Sequence, residues 1–145
     1  MENKVYQGDP NMPLQVDICA PDGWFWENHR ADELIIPGST GFIGILKDHV
    51  PVITGVSIDV LDVRQKTNWI RVAVFGGFAL VMKNVATILV SAAFLGDELQ
   101  EEEERVALEK AETGLNNAEG RKGQIEAMLE FQRAKAKFTA TKPRA

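Results

Sequence analysis

Few residues in this chain have the types and spacing that catalysis requires. It has two histidines, His29 and His49, and one cysteine, Cys19, and no spacing among them suits zinc. His49 follows Asp48, but neighbours along a strand or turn point apart, and no nucleophile accompanies them. There is no phosphate-binding loop, dinucleotide fingerprint or nucleophile elbow. The sequence therefore predicts no catalytic residue, no metal site and no cofactor.

The strongest candidate for a binding surface is residues 41–51, GFIGILKDHVP. An apolar stretch gives way to Lys47, Asp48 and His49, and an apolar stretch then resumes. Pro51 pushes the residue before it into an extended conformation. The pattern predicts a strand, an exposed charged corner and another strand. Such corners display binding residues from a rigid scaffold, although an ordinary loop is the alternative.

Composition excludes several classes of function. The net charge of −5 and the pI near 5.1 argue against nucleic acid as the main partner. No apolar run approaches the roughly 18 residues of a membrane span, so any membrane link must pass through other proteins. Residues 1–11 fit neither a signal peptide nor a transit peptide, and we expect a flexible tail there. We expect the single cysteine, Cys19, to be a buried structural thiol.

Residues 12–95 have the pattern of a β domain. Leu14, Val16 and Ile18 alternate with polar residues, as in a half-buried strand. A polar strip at 27–33 leads into a short buried strand, and Gly76-Gly77 is expected to bend the chain between two further strands. About eight to ten short strands at regular spacing predict an antiparallel β-sandwich.

The character of the sequence changes at residue 96. An acidic cluster at 97–104 suits the first turn of a helix, beside the positive end of its dipole. Apolar residues then recur at helical spacing until Gly120, which looks like a break. A second helix is expected to begin near Ile125 and to end near Phe138. We thus predict a two-helix antiparallel hairpin over 96–139 and a basic tail over 140–145.

The apolar faces of this hairpin are thin and rich in alanine. A buried leucine or isoleucine stabilises a contact by about 1.5–3 kcal/mol, and alanine offers far less. We therefore expect weak docking and more than one position for the hairpin. A hairpin packed permanently on the β domain is the alternative.

Three segments together resemble the epsilon subunit of rotary F-type ATP synthases. The likeness covers about residues 12–138 in the right order and spacing. Within it, the residues at 46–49 (LKDH) and 53–55 (ITG) are most similar to plastid and cyanobacterial forms of the subunit. The three segments are residues 41–51, the FGGFA run at 75–79, and Ala118-Glu119-Gly120 followed by RAKAK at 133–137.

The resemblance implies a non-catalytic rotor subunit in the central stalk. In that family the β-sandwich binds the gamma subunit and rests on the c-ring, and the hairpin lies folded or extends along gamma. The extended hairpin resists ATP hydrolysis, and Arg133, Lys135 and Lys137 would then meet acidic surface on the alpha and beta subunits. The implied location is the stromal face of the chloroplast thylakoid, or the cytoplasmic face of a cyanobacterial thylakoid.

Carried onto this sequence, the resemblance makes Phe42, Lys47, Asp48 and His49 candidate contacts with gamma or the c-ring. His49 matches the family's corner histidine. Phe42 stands where bacterial members often have an acidic residue, and it is a departure from that pattern.

Some bacterial epsilon subunits bind ATP through an aspartate and an arginine that follow an isoleucine or leucine at the first helix. Here Leu99 is followed by Gln100, and Glu103 stands where the arginine would be. The sequence therefore predicts no ATP binding.

Two other classes of function are the alternatives. One is a stand-alone β-sandwich adaptor whose helices bind an unrelated acidic partner; copurification with gamma separates it from the rotor subunit. The other is an enzyme built around His49, which a soluble activity lost in the His49→Ala variant would reveal.

Overall fold

A computed structural model describes residues 13–144. The eight strands are followed by a 3-10 turn at Gly96–Glu98 and two helices. The tail expected at residues 1–11 lies outside the described residues. The strands are β1 Leu14–Ala20, β2 Gly23–Ala31, β3 Glu33–Gly38, β4 Gly41–Ile45, β5 Val52–Gln65, β6 Asn68–Met82, β7 Val85–Val90 and β8 Ala93–Leu95, and the helices are α1 Glu101–Asn117 and α2 Gly120–Ala140.

The strands pair in the order β2-β1-β7-β6-β5-β3-β4, and β8 pairs with β6. Every pairing is antiparallel except that of β1 with β7. The long strands β5 and β6 belong to both layers: residues 77–82 of β6 pair with β7, while residues 72–74 pair with β8. This architecture confirms the predicted β-sandwich followed by a helical hairpin.

Two local expectations were wrong, those at Gly76-Gly77 and at the start of the second helix, and the structure also assigns the polar strip. β6 continues through Gly76-Gly77, because these residues, at φ +75° and +157°, let one strand change neighbours without ending. The polar strip at 27–33 falls largely within β2, where polar side chains suit a partly solvated strand. The second helix begins at Gly120, whose φ of +74° allows the sharp turn after α1, and not near Ile125.

The main core lies between the two layers and consists of side chains from the strands. It forms from inward-facing residues of every strand from β1 to β7. Its largest fully buried members are Leu14, Ile18, Leu34, Ile36, Ile45, Leu61 and Ile88.

The hairpin packs on the sandwich through a much smaller apolar contact. α2 lies against β5 and β6, where Ala136 and Ala140 meet Val60 and Ala73. The backbone at the end of α2 lies against the backbone of Gly96. A Cβ on Gly96 would lie 2.1 Å from the Ala140 carbonyl oxygen. Among the helices that the structure describes, none combines the length and apolar character needed to cross a bilayer.

Candidate interaction surfaces

The predicted corner is residues 46–51, between β4 and β5. Asp48 has a φ of +65°, and its backbone N–H donates to Asn84 Oδ1 at 2.6 Å. In return, Asn84 Nδ2 donates to Asp48 Oδ1 at 3.1 Å. This reciprocal pair fixes the corner to the turn between β6 and β7. The hydrogen bonds of Asp48 therefore hold the corner in place within the chain.

Lys47 and His49 lie beside this anchor. Lys47 is exposed and His49 is half-buried. His49 Nδ1 lies 2.7 Å from the Val50 carbonyl oxygen. A carbonyl only accepts, so Nδ1 carries the hydrogen and Nε2 is the acceptor of the neutral ring. Because His49 bonds a backbone carbonyl and Asp48 bonds Asn84, their geometry does not make them an acid–base pair.

Phe42 lies apart from the other three candidates. It is 63% exposed on β4, at the end of the strand order opposite to β2. There it lines a cleft with Asp62 of β5 and with Thr139 and Arg144, at the end of α2 and beyond it. The structure therefore brings together Lys47, Asp48 and His49, and separates Phe42 from them.

The outer surface of the β2-β1-β7-β6-β5 layer carries an unexpected group of apolar side chains. Strand register aligns Phe78 with Leu89, Leu89 with Cys19, and Cys19 with Trp24 in one row across the sheet. We call the group the apolar face. Its large side chains, exposed by 38% to 76%, are Trp24, Ile53, Phe78, Leu80, Met82 and Leu89.

The position of Cys19 in this row corrects an expectation. Its side chain points to the outer surface of β1, and it is half-buried and not buried. Its Sγ lies 3.6 Å from the Ala20 carbonyl oxygen. The thiol is therefore part of the apolar face and not of the core.

A polar network borders the apolar face on β1 and β2. Gln15 Nε2 donates to Asp17 Oδ2 at 3.0 Å and to Asn28 Oδ1 at 2.9 Å. The Asn28 backbone N–H donates to Asp17 Oδ1 at 2.6 Å, at an irregularity in the pairing of the two strands. An apolar centre beside polar groups that are already hydrogen-bonded is the composition of a protein–protein interface.

The sequence analysis missed the apolar face, although a signal was present. Residues 78–82 read FALVM, apolar at every position. A strand with one solvated face alternates apolar and polar residues, so an unbroken run predicts that both faces are covered. In this chain Ala79 and Val81 face the core, while Phe78, Leu80 and Met82 face outward.

Two of the three basic residues predicted on the second helix lie against the sandwich. The Arg133 guanidinium carbon is 6.0 Å from the centre of the Phe75 ring, and Lys137 Nζ is 4.7 Å from the centre of the Phe94 ring. The two rings lie 5.2 Å apart and form one aromatic surface. Cation–π contacts therefore hold both cations on this surface, whereas Lys135 is exposed.

Acidic residues in the first turn of α1 form ion pairs with basic residues of both helices. Lys137 Nζ lies 3.5 Å from the buried Glu104 Oε2, which ties the two helices together. Arg105 bonds Glu102 and Glu109, and its hydrogen bond lowers the pKa of the Glu102 carboxyl below its ordinary value.

Within residues 13–144 no three acidic, histidine or cysteine side chains are arranged to hold a metal ion.

Comparison with known proteins identifies the family. Residues 13–96, more than half of the chain, match the family model described as ATP synthase, Delta/Epsilon chain, beta-sandwich domain. The chloroplastic ATP synthase epsilon chain of Chlorella vulgaris is 43% identical over 131 residues, which cover 90% of this chain and 97% of that protein. The ATP synthase epsilon chain of Nostoc punctiforme is 43% identical over 133 residues, covering 89% and 96%.

Solved structures share the fold at low sequence identity. A chain of the Euglena gracilis mitochondrial ATP synthase, OSCP/F1/c-ring in rotational state 1, has a TM-score of 0.78 at 18% identity and covers 98% of this chain and 89% of its own. A chain of the Tetrahymena thermophila mitochondrial central stalk and c-ring has a TM-score of 0.62 at 16% identity, covering 90% and 98%. The chain belongs to the family of ATP synthase epsilon chains, which are subunits of the synthase other than the catalytic one.

Proposed function

We propose that this chain is a rotor subunit of the central stalk, coupling rotation of the c-ring to ATP synthesis through the gamma subunit. The apolar face is the observation that carries the proposal. Six large apolar side chains on one sheet surface are costly to expose to water, and a partner that covers them gains roughly 25 cal/mol for each Å² buried. The relatives are ATP synthase epsilon chains, so the partner we assign to this surface is gamma.

The corner would make the contact with the c-ring. Asn84 holds Asp48 in place, so the corner presents the Lys47 ammonium and the His49 ring from a fixed position. Phe42 remains a candidate for a separate contact, because it is exposed on β4. Since several matched relatives are chloroplastic, we assign the protein to the stromal face of the thylakoid membrane, attached through the synthase.

The hairpin would oppose ATP hydrolysis when it leaves the sandwich. Lys135 is exposed in the docked state, whereas Arg133 and Lys137 lie on aromatic rings of the sandwich. Arg133 and Lys137 can reach an acidic surface on the alpha or beta subunits only after α2 moves away. Docking and inhibition would therefore compete for the same cations.

Copurification with gamma tests the proposal. The full chain, mixed with separately purified gamma, should elute as one complex at micromolar concentrations. A stand-alone adaptor would instead elute apart from gamma, and that result would remove the rotor assignment.

Truncation after Leu95 should leave assembly intact and raise ATP hydrolysis by the assembled enzyme several-fold. The sandwich retains its core without the helices, because that core consists of strand residues only. Hydrolysis by synthase reconstituted with the full or the truncated chain measures the effect. Equal rates, with equal amounts of both chains bound, would contradict an inhibitory hairpin.

ATP should not bind to the isolated chain. Neither the aspartate nor the arginine of the bacterial ATP-binding pattern is present after Leu99. Calorimetric titration with ATP is expected to give only the heat of dilution. Saturable binding at micromolar ATP would show that another set of residues holds the nucleotide.

A further inference from the structure

The end of α2 meets a charged cluster on the sandwich. Asp62 of β5 is only 5% exposed and lies opposite Arg71 in the strand register. Arg71 Nε donates to Asp62 Oδ1 at 2.8 Å. Arg144, four residues beyond the end of α2, donates through Nε to Asp62 Oδ2 at 3.2 Å. One carboxylate therefore joins a strand arginine to an arginine of the C-terminal tail.

Arg71 also bonds the end of the helix directly. Its Nη1 donates to the carbonyl oxygens of Thr139 and Lys142, each at 3.1 Å. The last carbonyls of a helix have no partner within it, and a positive charge there opposes the negative end of the helix dipole. A side chain of the sandwich thus caps α2.

The tail makes one further contact with the sandwich and one with α1. The Arg144 guanidinium carbon lies 4.3 Å from the centre of the Trp69 ring, and Lys142 pairs with Glu101 at the start of α1. By contrast, the buried apolar contribution of α2 to this interface is two alanines, Ala136 and Ala140. The contacts that residues 139–144 make with Arg71, Asp62 and Trp69 therefore add to this small apolar contact in holding the hairpin.

We propose that Asp62, Arg71 and Arg144 form a latch that keeps the hairpin on the sandwich, and that opening this latch frees Arg133 and Lys137 for the catalytic subunits. The second half of this statement rests on the inhibitory role proposed above. The arrangement suits reversible opening. When α2 leaves, Asp62 and Arg71 remain paired within the sandwich, so release strands no buried charge without its partner.

Distance measurements on the full chain test the latch. One spin label is attached at Thr67→Cys on the sandwich and a second at Gln132→Cys on α2, both exposed positions, in a Cys19→Ser background. Pulsed electron paramagnetic resonance then gives the docked and released populations. Arg144→Gln should raise the released fraction at least about tenfold, since it removes the charged hydrogen bond to Asp62 and the cation–π contact with Trp69. Asp62→Asn should raise it further, because two arginines then face each other without a carboxylate.

Lys135→Gln is the matched control, since it removes one positive charge from the exposed side of the same helix. It should leave the populations unchanged. Arg144 lies outside the sandwich core, so its variant should retain the thermal unfolding midpoint of the sandwich. Equal released fractions in Arg144→Gln, Asp62→Asn and Lys135→Gln would overturn the latch. The distance measurement uses the isolated chain, so it tests the latch separately from the inhibitory role. If the Arg144→Gln hairpin is released but ATP hydrolysis by the assembled enzyme does not change, the latch is supported and the inhibitory role is refuted.

Discussion

Replacing Phe78 or Ile53 by aspartate should abolish association with gamma at micromolar concentrations. Phe78 is 66% exposed and Ile53 is 76% exposed on the apolar face. In an interface, a carboxylate at either position would be desolvated without a partner, and the apolar contact would be lost as well. Central interface residues typically cost about 2–4 kcal/mol when truncated, which corresponds to roughly 30- to 1000-fold weaker binding.

Ile125→Asp is the control for this prediction. It makes the same substitution at an isoleucine that is 53% exposed on α2, away from the apolar face. Because all three positions are exposed, each variant should unfold within about 1 kcal/mol of the parent. Gel filtration with gamma measures association, and thermal unfolding measures stability. Full gamma binding by folded Ile53→Asp and Phe78→Asp variants would show that this surface is not the gamma interface.

Gly77→Ala should destabilise the sandwich by about 3 kcal/mol or more. A Cβ at this position would lie 1.8 Å from the Leu89 carbonyl oxygen, which belongs to a strand backbone that cannot rotate away. Gly77 also has a φ of +157°, which a side chain rarely adopts. Overpacking alone costs about 1–3 kcal/mol, and an unfavourable backbone conformation adds to it. Equilibrium unfolding in urea measures the loss.

Gly114→Ala should have the opposite effect. Gly114 lies within α1, and a Cβ there would meet no atom within 4 Å. Alanine in a helix interior is favoured over glycine by about 0.5–1 kcal/mol, so this change should stabilise the hairpin. Protection of hairpin amides from hydrogen exchange is the measurement. Unchanged urea stability of Gly77→Ala would show that the close contact of β6 with β7 does not require glycine, and weaker amide protection in Gly114→Ala would contradict the expected gain in α1.

Local patterns in the sequence were sufficient to predict the fold. Alternation at Leu14, Val16 and Ile18 predicted β1, and acidic residues before a helical repeat predicted the start of α1. These signals depend on residues close together in the chain. The glycine pair at 76–77 misled the analysis, because its effect depends on which strands β6 meets before and after it.

The candidate site was less predictable, since it depends on pairing between distant segments. The corner at 46–51 was found because its charged residues are consecutive. Its anchor, the bond between Asp48 and Asn84, joins residues 36 apart. The latch likewise joins Asp62 to Arg144, 82 residues away. Composition predicted a weakly docked hairpin, which stays a prediction, and it carried no information about which side chains hold the hairpin.

The antiparallel pairing of β5 with β6 keeps one register along its length, and this has a mechanical consequence. It runs from the pair Val52 and Val81 to the pair Gln65 and Asn68. Ile53 of the apolar face lies near one end of this ribbon and Asp62 near the other, so the surface proposed to bind gamma and the surface on which α2 packs belong to the same pair of strands. A force that a partner exerts on the apolar face would therefore reach the docking surface of α2 directly through the hydrogen bonds of β5 and β6.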